Sequence, residues 1–589
     1  MVPAGGLALS LVILGAAFGP YLPNGAGFLG VDYGFWLPNL LAGDFWHYNS
    51  PAYAMPWFNP SECGGVPLHA DPQGAYLSLP QGLTFLVPPI AALQLSYAIY
   101  ATGAFAGTYW LANRRFGCSR AGSLLAATLF TLNGFFAARM MVGHLSFAPF
   151  ALVPAMAGCL LGPGNQRRGE WARILGFAAL LAIAVQAGMA VLILPVFYGL
   201  ALLAVLGALS ASSGLRLPAK RALAGGALAL ALCAGKLAAV VALMANLPRD
   251  AYPLPGFPNI LLTTWTALRC LFLWPASNMT EGLVNTVLRF ELHEFDYRVG
   301  PAPLLLFAAA AWQAWRRRGA APLSTRNRLL WEGLALLLLI PLALNTYATQ
   351  WTALLKLIPI LRSASSLLRW FAAYMPAAAI GAALALDYLT STRRWQFAGA
   401  GIALTCVCLL ASDRSFYGLG GVGGYDPRPI QASWHAAAKT GHNPAVRYLS
   451  VPANPDGTPD MSTNRGNMIA FGRSPLLCYD PIFGYRLEAF HQGSLHPGPV
   501  LDETRIGDRT ELNLKNPACY VFPGANACKV GDTFTSAQRA EAVDFASYRP
   551  FAFHKPWWAH MADWVGILAL AGTVGAAGWT LWPRRAARS

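Results

Sequence analysis

Runs of about twenty apolar residues recur along the whole length of this chain, and each must be a helix that pairs its own backbone polar groups inside a bilayer. Of 589 residues, 55% are hydrophobic and only 12% charged, which excludes a water-soluble globule. Spans are expected near residues 6–22, 93–112, 121–138, 146–162, 171–187, 189–208, 222–245, 301–315, 328–345, 370–389, 396–412 and 562–582. The fold class is therefore an all-α polytopic membrane protein with about 12 transmembrane helices.

Lys and Arg in short loops set orientation. With the amino terminus inside, the inner segments hold Arg114, Arg115 and Arg120, then Arg167, Arg168 and Arg173, then Arg216, Lys220 and Arg221, with further basic residues at 316–328, 393–394 and 584–588. Nineteen of the 42 Lys and Arg fall there, which explains most of the +16 net charge without nucleic acid. Both termini are then cytoplasmic, and the outer side receives residues 23–92, 246–300, 346–369 and 413–561. The last segment is polar and rich in Gly and Pro, with 14 basic and 13 acidic residues. It reads as a small α/β or β-rich extracytoplasmic domain. The chain thus divides into a membrane core, 1–412, an outer domain, 413–561, and a last helix with a basic tail, 562–589. Residues 1–22 lack a basic flank, which makes a poor signal peptide and points to a start site placed a little late.

The stretch 23–80 carries Asp32, Asp44, Glu62 and Asp71, and the first Lys or Arg of the chain is Arg114. Carboxylates without a basic neighbour beside a bilayer serve as general bases, metal ligands or counter-charges, or are simply solvated. Asp32 is the first choice for a base. It stands between Gly30 and Gly34, and Phe35 and Trp36 should exclude water and raise its pKa. Asp71 and Asp44 are the runners-up, with His69 as an orienting partner.

Cationic and polar groups stand where a membrane normally excludes them. Arg139 and His144 lie at the outer end of the third span, and Lys236 is near the middle of the seventh. Arg362 and Arg369 share a face if their segment is helical, with Ser363, Ser365 and Ser366 as donors, a pattern suited to a phosphate. The plainer alternatives are a core histidine, a structural lysine and arginines anchored to lipid headgroups. The acidic run 289–298 has Arg289 and Arg298 within it and reads as a salt-bridged loop. Cys519 and Cys528 flank a short turn-rich loop in the outer segment and are expected to form a disulfide. No Cys/His spacing reads as a zinc site.

The order of parts resembles the C-type superfamily of membrane glycosyltransferases: a first span, a long outer loop with an acid, many spans and a soluble outer domain. Shared short motifs are Gly-Gly-x-Pro before Asp71-Pro-Gln73, Gly143-His144 before the fourth span, and Tyr297-x-Val-Gly300 opening the eighth. The resemblance implies a polyprenyl-phosphate sugar donor held among membrane lipid, a glycan, lipid or protein acceptor, and a bacterial inner (plasma) membrane location. It also implies a first-loop acid, here Asp32, that deprotonates the acceptor or binds a metal. Asp32 lacks the second acid of the metal-dependent members, so a divalent metal is left open. His69, Arg139, His144, Lys236, Arg362 and Arg369 are then the candidate substrate-binding groups. A lipid or polysaccharide transporter or flippase, or a non-catalytic envelope assembly protein, is the alternative.

Overall fold

The computed structural model describes the chain except residues 1, 25–26, 52–53, 163–166, 211–213, 248–251, 274–281, 287–289, 318–323, 359–360, 362–363, 412–423, 455–457, 459, 461, 481–494, 507 and 582–589. Among the described residues nine helices are long and apolar enough to cross a bilayer, from Pro3–Tyr21 to Trp557–Thr580. The pair Arg216–Leu232 and Ala234–Asn246, bent by 73°, makes a tenth if counted as one span. The protein is a helical multi-pass membrane protein, and among the described residues these spans number fewer than the expected twelve. Leu145–Leu160 and Ala302–Arg316 are apolar but short. At 1.5 Å per residue they fall below the roughly 30 Å of a hydrocarbon core.

The span Arg120–Val142 shows how local sequence sets the elements. Ser119 caps its first half, accepting from Gly122 N at 3.1 Å. The helix then breaks at Leu132 and restarts at Asn133, whose side chain accepts from Phe136 N at 2.7 Å. Each cap satisfies a backbone donor that the helix itself leaves unpaired.

Two parts far apart in sequence build the region above this bundle. From the first long loop come the helix Tyr33–Asn49 and a two-stranded hairpin, Phe58–Asn59 with Val66–Pro67. From residues 424–556 come the helices Arg428–Thr440 and Arg539–Ala546 and two three-stranded sheets. One sheet is mixed: Tyr448–Ser450 is central, parallel to Arg473–Pro475 and antiparallel to Gly498–Pro499. The other is an antiparallel meander of Glu503–Ile506, Arg509–Lys515 and Thr533–Thr535.

The two parts are joined by an antiparallel bridge between Leu29 and Tyr425 and by a ring cluster of Phe58, Phe545, Phe551 and Phe553 with centroids 5.1–6.2 Å apart. A disulfide between Cys63 and Cys478 adds a covalent tie. One contiguous apolar core runs from the helical bundle into both.

Candidate functional site

Two glycines bring the start of the first long loop onto the bundle. Gly143 ends the helix Gly134–Val142 with φ 106°, a conformation that L side chains rarely adopt. The resulting turn leaves His144 facing back over the helix end. A Cβ at Gly143 would stand 2.6 Å from Tyr33 N, and one at Gly30 would stand 2.1 Å from the Met141 carbonyl oxygen. Without those side chains, Asp32 N reaches Val142 O at 3.1 Å.

Asp32 and His144 therefore meet: the carboxylate pairs with His144 Nε2. On the ring's other side Nδ1 lies 2.8 Å from an Arg139 Nη1. A guanidinium can only donate, so Nδ1 accepts and the imidazole proton stays on Nε2, donating to Asp32. Burial accordingly pushes the His144 imidazole down to about 4, against the pull of Asp32. Burial also works to raise the Asp32 carboxyl, but His144, then His293 and Arg139, bring it below its ordinary value. This corrects the expectation of a raised pKa and no basic partner. The partner comes from a distant turn that the local sequence does not show.

Arg139 extends the chain of contacts. Its guanidinium grips Glu294 with two hydrogen bonds of 3.0 and 2.9 Å. Arg369 takes the same carboxylate from another side at 3.2 and 2.7 Å. The Phe147 ring lies 5.0 Å from each guanidinium. His293 completes the group, 3.6 Å from Glu294 and 3.2 Å from Glu291. Burial opposes ionisation of Glu294, yet the two arginines hold its carboxyl well below the usual range. Two guanidiniums share the carboxylate of Glu294, and ionised Asp32 at the other end of this chain of contacts balances the second of them. The second acidic run is thus a salt-bridged loop whose central acid joins Arg139 to Arg369.

Each end of this network opens onto space. Asp32 lines a crevice with Phe35, Asn39, Glu62, Arg465 and Tyr479, where the first loop faces the later segment, and Cys478 forms part of its wall. Glu62 in the same crevice is held differently: burial, then Asp480, pushes its carboxyl well above the ordinary value. At the other end Arg369, with a side chain 25% exposed, lines a cavity of about 220 Å³ with Ser365, Ser366 and Trp370.

The other candidates fall elsewhere. Asp71 is buried behind the crevice and accepts from Gln73 N at 2.8 Å. Burial and Asp480 raise its carboxyl, against Gln73 and Lys236. Lys236, 5% exposed, donates to the carbonyls of Gly74 and, at 3.2 Å, Gln186. It thereby ties the broken helix pair to the first loop. His69 packs edge-on against Trp57, and burial, then Lys236 and Lys555, lower it to about 3. Asp44 is sealed at 1% exposure, its Oδ1 accepting from Thr84 at 2.7 Å and Gln81 at 3.2 Å. Burial raises its carboxyl well above the ordinary value.

Arg362 and Arg289 lie outside the described residues. Cys519 and Cys528 are bonded, with Cα atoms 5.7 Å apart. Among the described residues no group of three or more His, Cys, Asp and Glu is placed to hold a metal ion.

Sequence reasoning left His293 and Glu294 within a salt-bridged loop, did not single out Glu62 among the first-loop acids, and missed the Cys63–Cys478 bond. A signal existed for Glu294: it stands three residues before the Tyr297-x-Val-Gly300 motif. For Glu62 the signal was its lack of a basic neighbour in the first loop, but its burial depends on a segment four hundred residues away.

No family model matches the chain, and no curated protein does. Among solved structures it is similar to the oligosaccharyltransferase of Archaeoglobus fulgidus, crystallised with zinc and sulfate, with a TM-score of 0.38 and 14% identity over 80% of this chain and 62% of that one. The chain therefore spans less than two thirds of that protein's length. A likeness at this level does not decide the chemistry, which must be read from the residues themselves.

Proposed function

We propose that the chain is a membrane glycosyltransferase that moves a sugar from a polyprenyl phosphate to an acceptor at the outer face of a bacterial plasma membrane, with inversion. The observation that carries this reading is the continuous network Asp32–His144–Arg139–Glu294–Arg369. It has an ionised carboxylate facing a crevice at one end and a partly exposed arginine facing a cavity at the other. In the reaction, Asp32 takes the proton of the acceptor hydroxyl as its oxygen attacks the anomeric carbon. The bond from that carbon to the phosphate oxygen breaks, and the phosphate leaves with the electron pair.

General-base help of this kind is typically worth about 10²- to 10⁴-fold. Arg369, with Ser365 and Ser366 beside it, suits the charge developing on the leaving phosphate. An apolar cavity of about 560 Å³, lined by Leu202, Leu268, Phe272, Phe307, Leu338 and Tyr374, adjoins the helix that Arg369 opens and suits a polyprenyl tail. The segment 424–556, as an extracytoplasmic domain, would then close the acceptor side.

The test supplies the purified full chain with a radiolabelled polyprenyl-phosphate sugar and candidate glycan, lipid and protein acceptors. Acceptor-dependent release of polyprenyl phosphate is expected. Sugar-lipid that instead crosses the bilayer of a proteoliposome unchanged would favour a flippase.

A further inference from the structure

At the opposite end of the bundle three arginines converge on one backbone position. Tyr97, whose hydroxyl lies 2.7 Å from that of Tyr33, shares the helix Pro89–Arg114 with this end. At 1.5 Å per residue the two ends of the contact are about 27 Å apart along the axis. Arg115 follows the helix directly, donates from Nε to Gly158 O at 3.0 Å and lies over Trp110 at 4.6 Å. Arg221, fully buried, donates to Gly162 O at 2.5 Å and to Leu160 O at 2.6 Å. A Cβ at Gly162 would stand 1.8 Å from an Arg173 Nη1 and 2.7 Å from the Arg115 Cζ.

Three guanidiniums thus surround Gly162, with Glu170 as the carboxylate among them. Glu170 is gripped by Arg221 through bonds of 2.5 and 2.7 Å. Arg115 and Arg173 face each other without one of their own among the described residues. Arg173 Nη1 is buried there with no hydrogen-bond acceptor. A buried donor left unpaired beside like charges is costly. Burial, then Arg173, disfavours the charge on Arg115. The excess of basic residues in the inner loops explains why arginines are present at this end. It does not explain why their guanidiniums turn toward each other when water lies outside.

We infer that Arg115 and Arg173, held in place by Arg221 and the small Gly162, form a binding site for a phosphate group on the membrane face opposite the Asp32 crevice. Gly162, without a side chain, lets the two planar forks pack together there, and a phosphate's oxygens would accept from the half-buried edges of both guanidiniums. The phosphate can belong to an anionic lipid headgroup or be free in solution. Trp110, whose ring Arg115 covers, packs against Gly158 beside the site. The site stands independently of the transferase reading.

The test is native mass spectrometry of the full chain in detergent, titrated with phosphatidylglycerol, with phosphatidylcholine and with inorganic phosphate. A retained phosphatidylglycerol adduct with no inorganic phosphate adduct assigns a lipid headgroup; retention of both assigns a general phosphate site. In either case Arg115→Gln with Arg173→Gln should weaken binding about tenfold or more. Arg173→Lys, which keeps the charge and offers a second variant should the double one not fold, should weaken it about threefold, since the planar fork is lost. Equal binding by wild type and variants, or equal retention of phosphatidylcholine, would overturn the inference.

Discussion

Cys63 and Cys478, 415 residues apart in sequence, are bonded with their Cα atoms 5.3 Å apart, and Cys478 forms part of the wall of the crevice that Asp32 lines. The tie does not stand alone. Gly64 N donates to Ser474 Oγ at 3.0 Å and Gly64 O accepts from Lys515 N at 2.9 Å. The tip of the first loop is therefore fixed to both sheets of the later segment, beside the crevice that Asp32 lines.

Cys63→Ser should accordingly reduce turnover more than Cys519→Ser, whose partner is only nine residues away. Both variants should melt below wild type, because each frees the unfolded chain of a cross-link. Turnover and melting temperature measured side by side check this. Equal turnover in the two variants would show that the crevice does not need the clamp.

The neutral His144 gives a pH signature. An unfolded histidine takes up its proton near 6.5, whereas in the fold it does so at about 4. Its folded pKa is depressed, so its contribution to stability is present above about 6.5 and is lost as pH falls toward 4. With about 1.36 kcal/mol per unit, that slope amounts to roughly 3 kcal/mol. Denaturant melts of wild type and His144→Gln between pH 7 and pH 4 should differ by such a slope. Parallel curves would mean that the imidazole is not held neutral.

Glu294 joins two guanidiniums, and Glu294→Gln should be among the most damaging single changes, costing about 3–5 kcal/mol because Arg139 stays buried without its counter-charge. Arg369→Ala should cost less, since that side chain is partly exposed and its removal leaves Arg139 paired. Removing the buried cation as well, in Glu294→Gln with Arg139→Met, should recover part of the loss. Thermal melts of the three variants check the order.

Asp44 behaves in the opposite way to His144. Burial raises its carboxyl well above the ordinary value, which favours the neutral acid at pH 7. A raised folded pKa means that stability is fully present below about 3.9 and is lost as pH rises toward the folded value. Asp44→Asn copies the neutral acid without that loss, so it should melt at or above wild type at pH 7 and keep its turnover. A large fall in either would mean that Asp44 works as an anion.

The membrane class was legible in the sequence because hydropathy is a local property, and the acids of the first loop stood out for the same reason. Their partners were not, since partnership is decided by tertiary contact. Asp32 meets His144 only because Gly30 and Gly143 allow two backbones to touch, and Glu294 reaches Arg139 and Arg369 from a third place in the chain. Lys236 was readable as a buried cation, but not its role of holding the Gly74 and Gln186 carbonyls, which depends on the bend between Leu232 and Ala234. The span count was less legible, because apolar composition does not reveal where a helix stops short of a bilayer's thickness.

The transferase reading rests on Asp32 as the base, and Asp32→Asn tests it most directly. The amide keeps the shape of the carboxylate and a hydrogen bond to His144 but cannot accept the acceptor's proton. Release of polyprenyl phosphate by the purified variant should fall about 10²-fold or more, with melting temperature and donor binding close to wild type. Turnover at the wild-type rate in a folded Asp32→Asn protein would contradict the account.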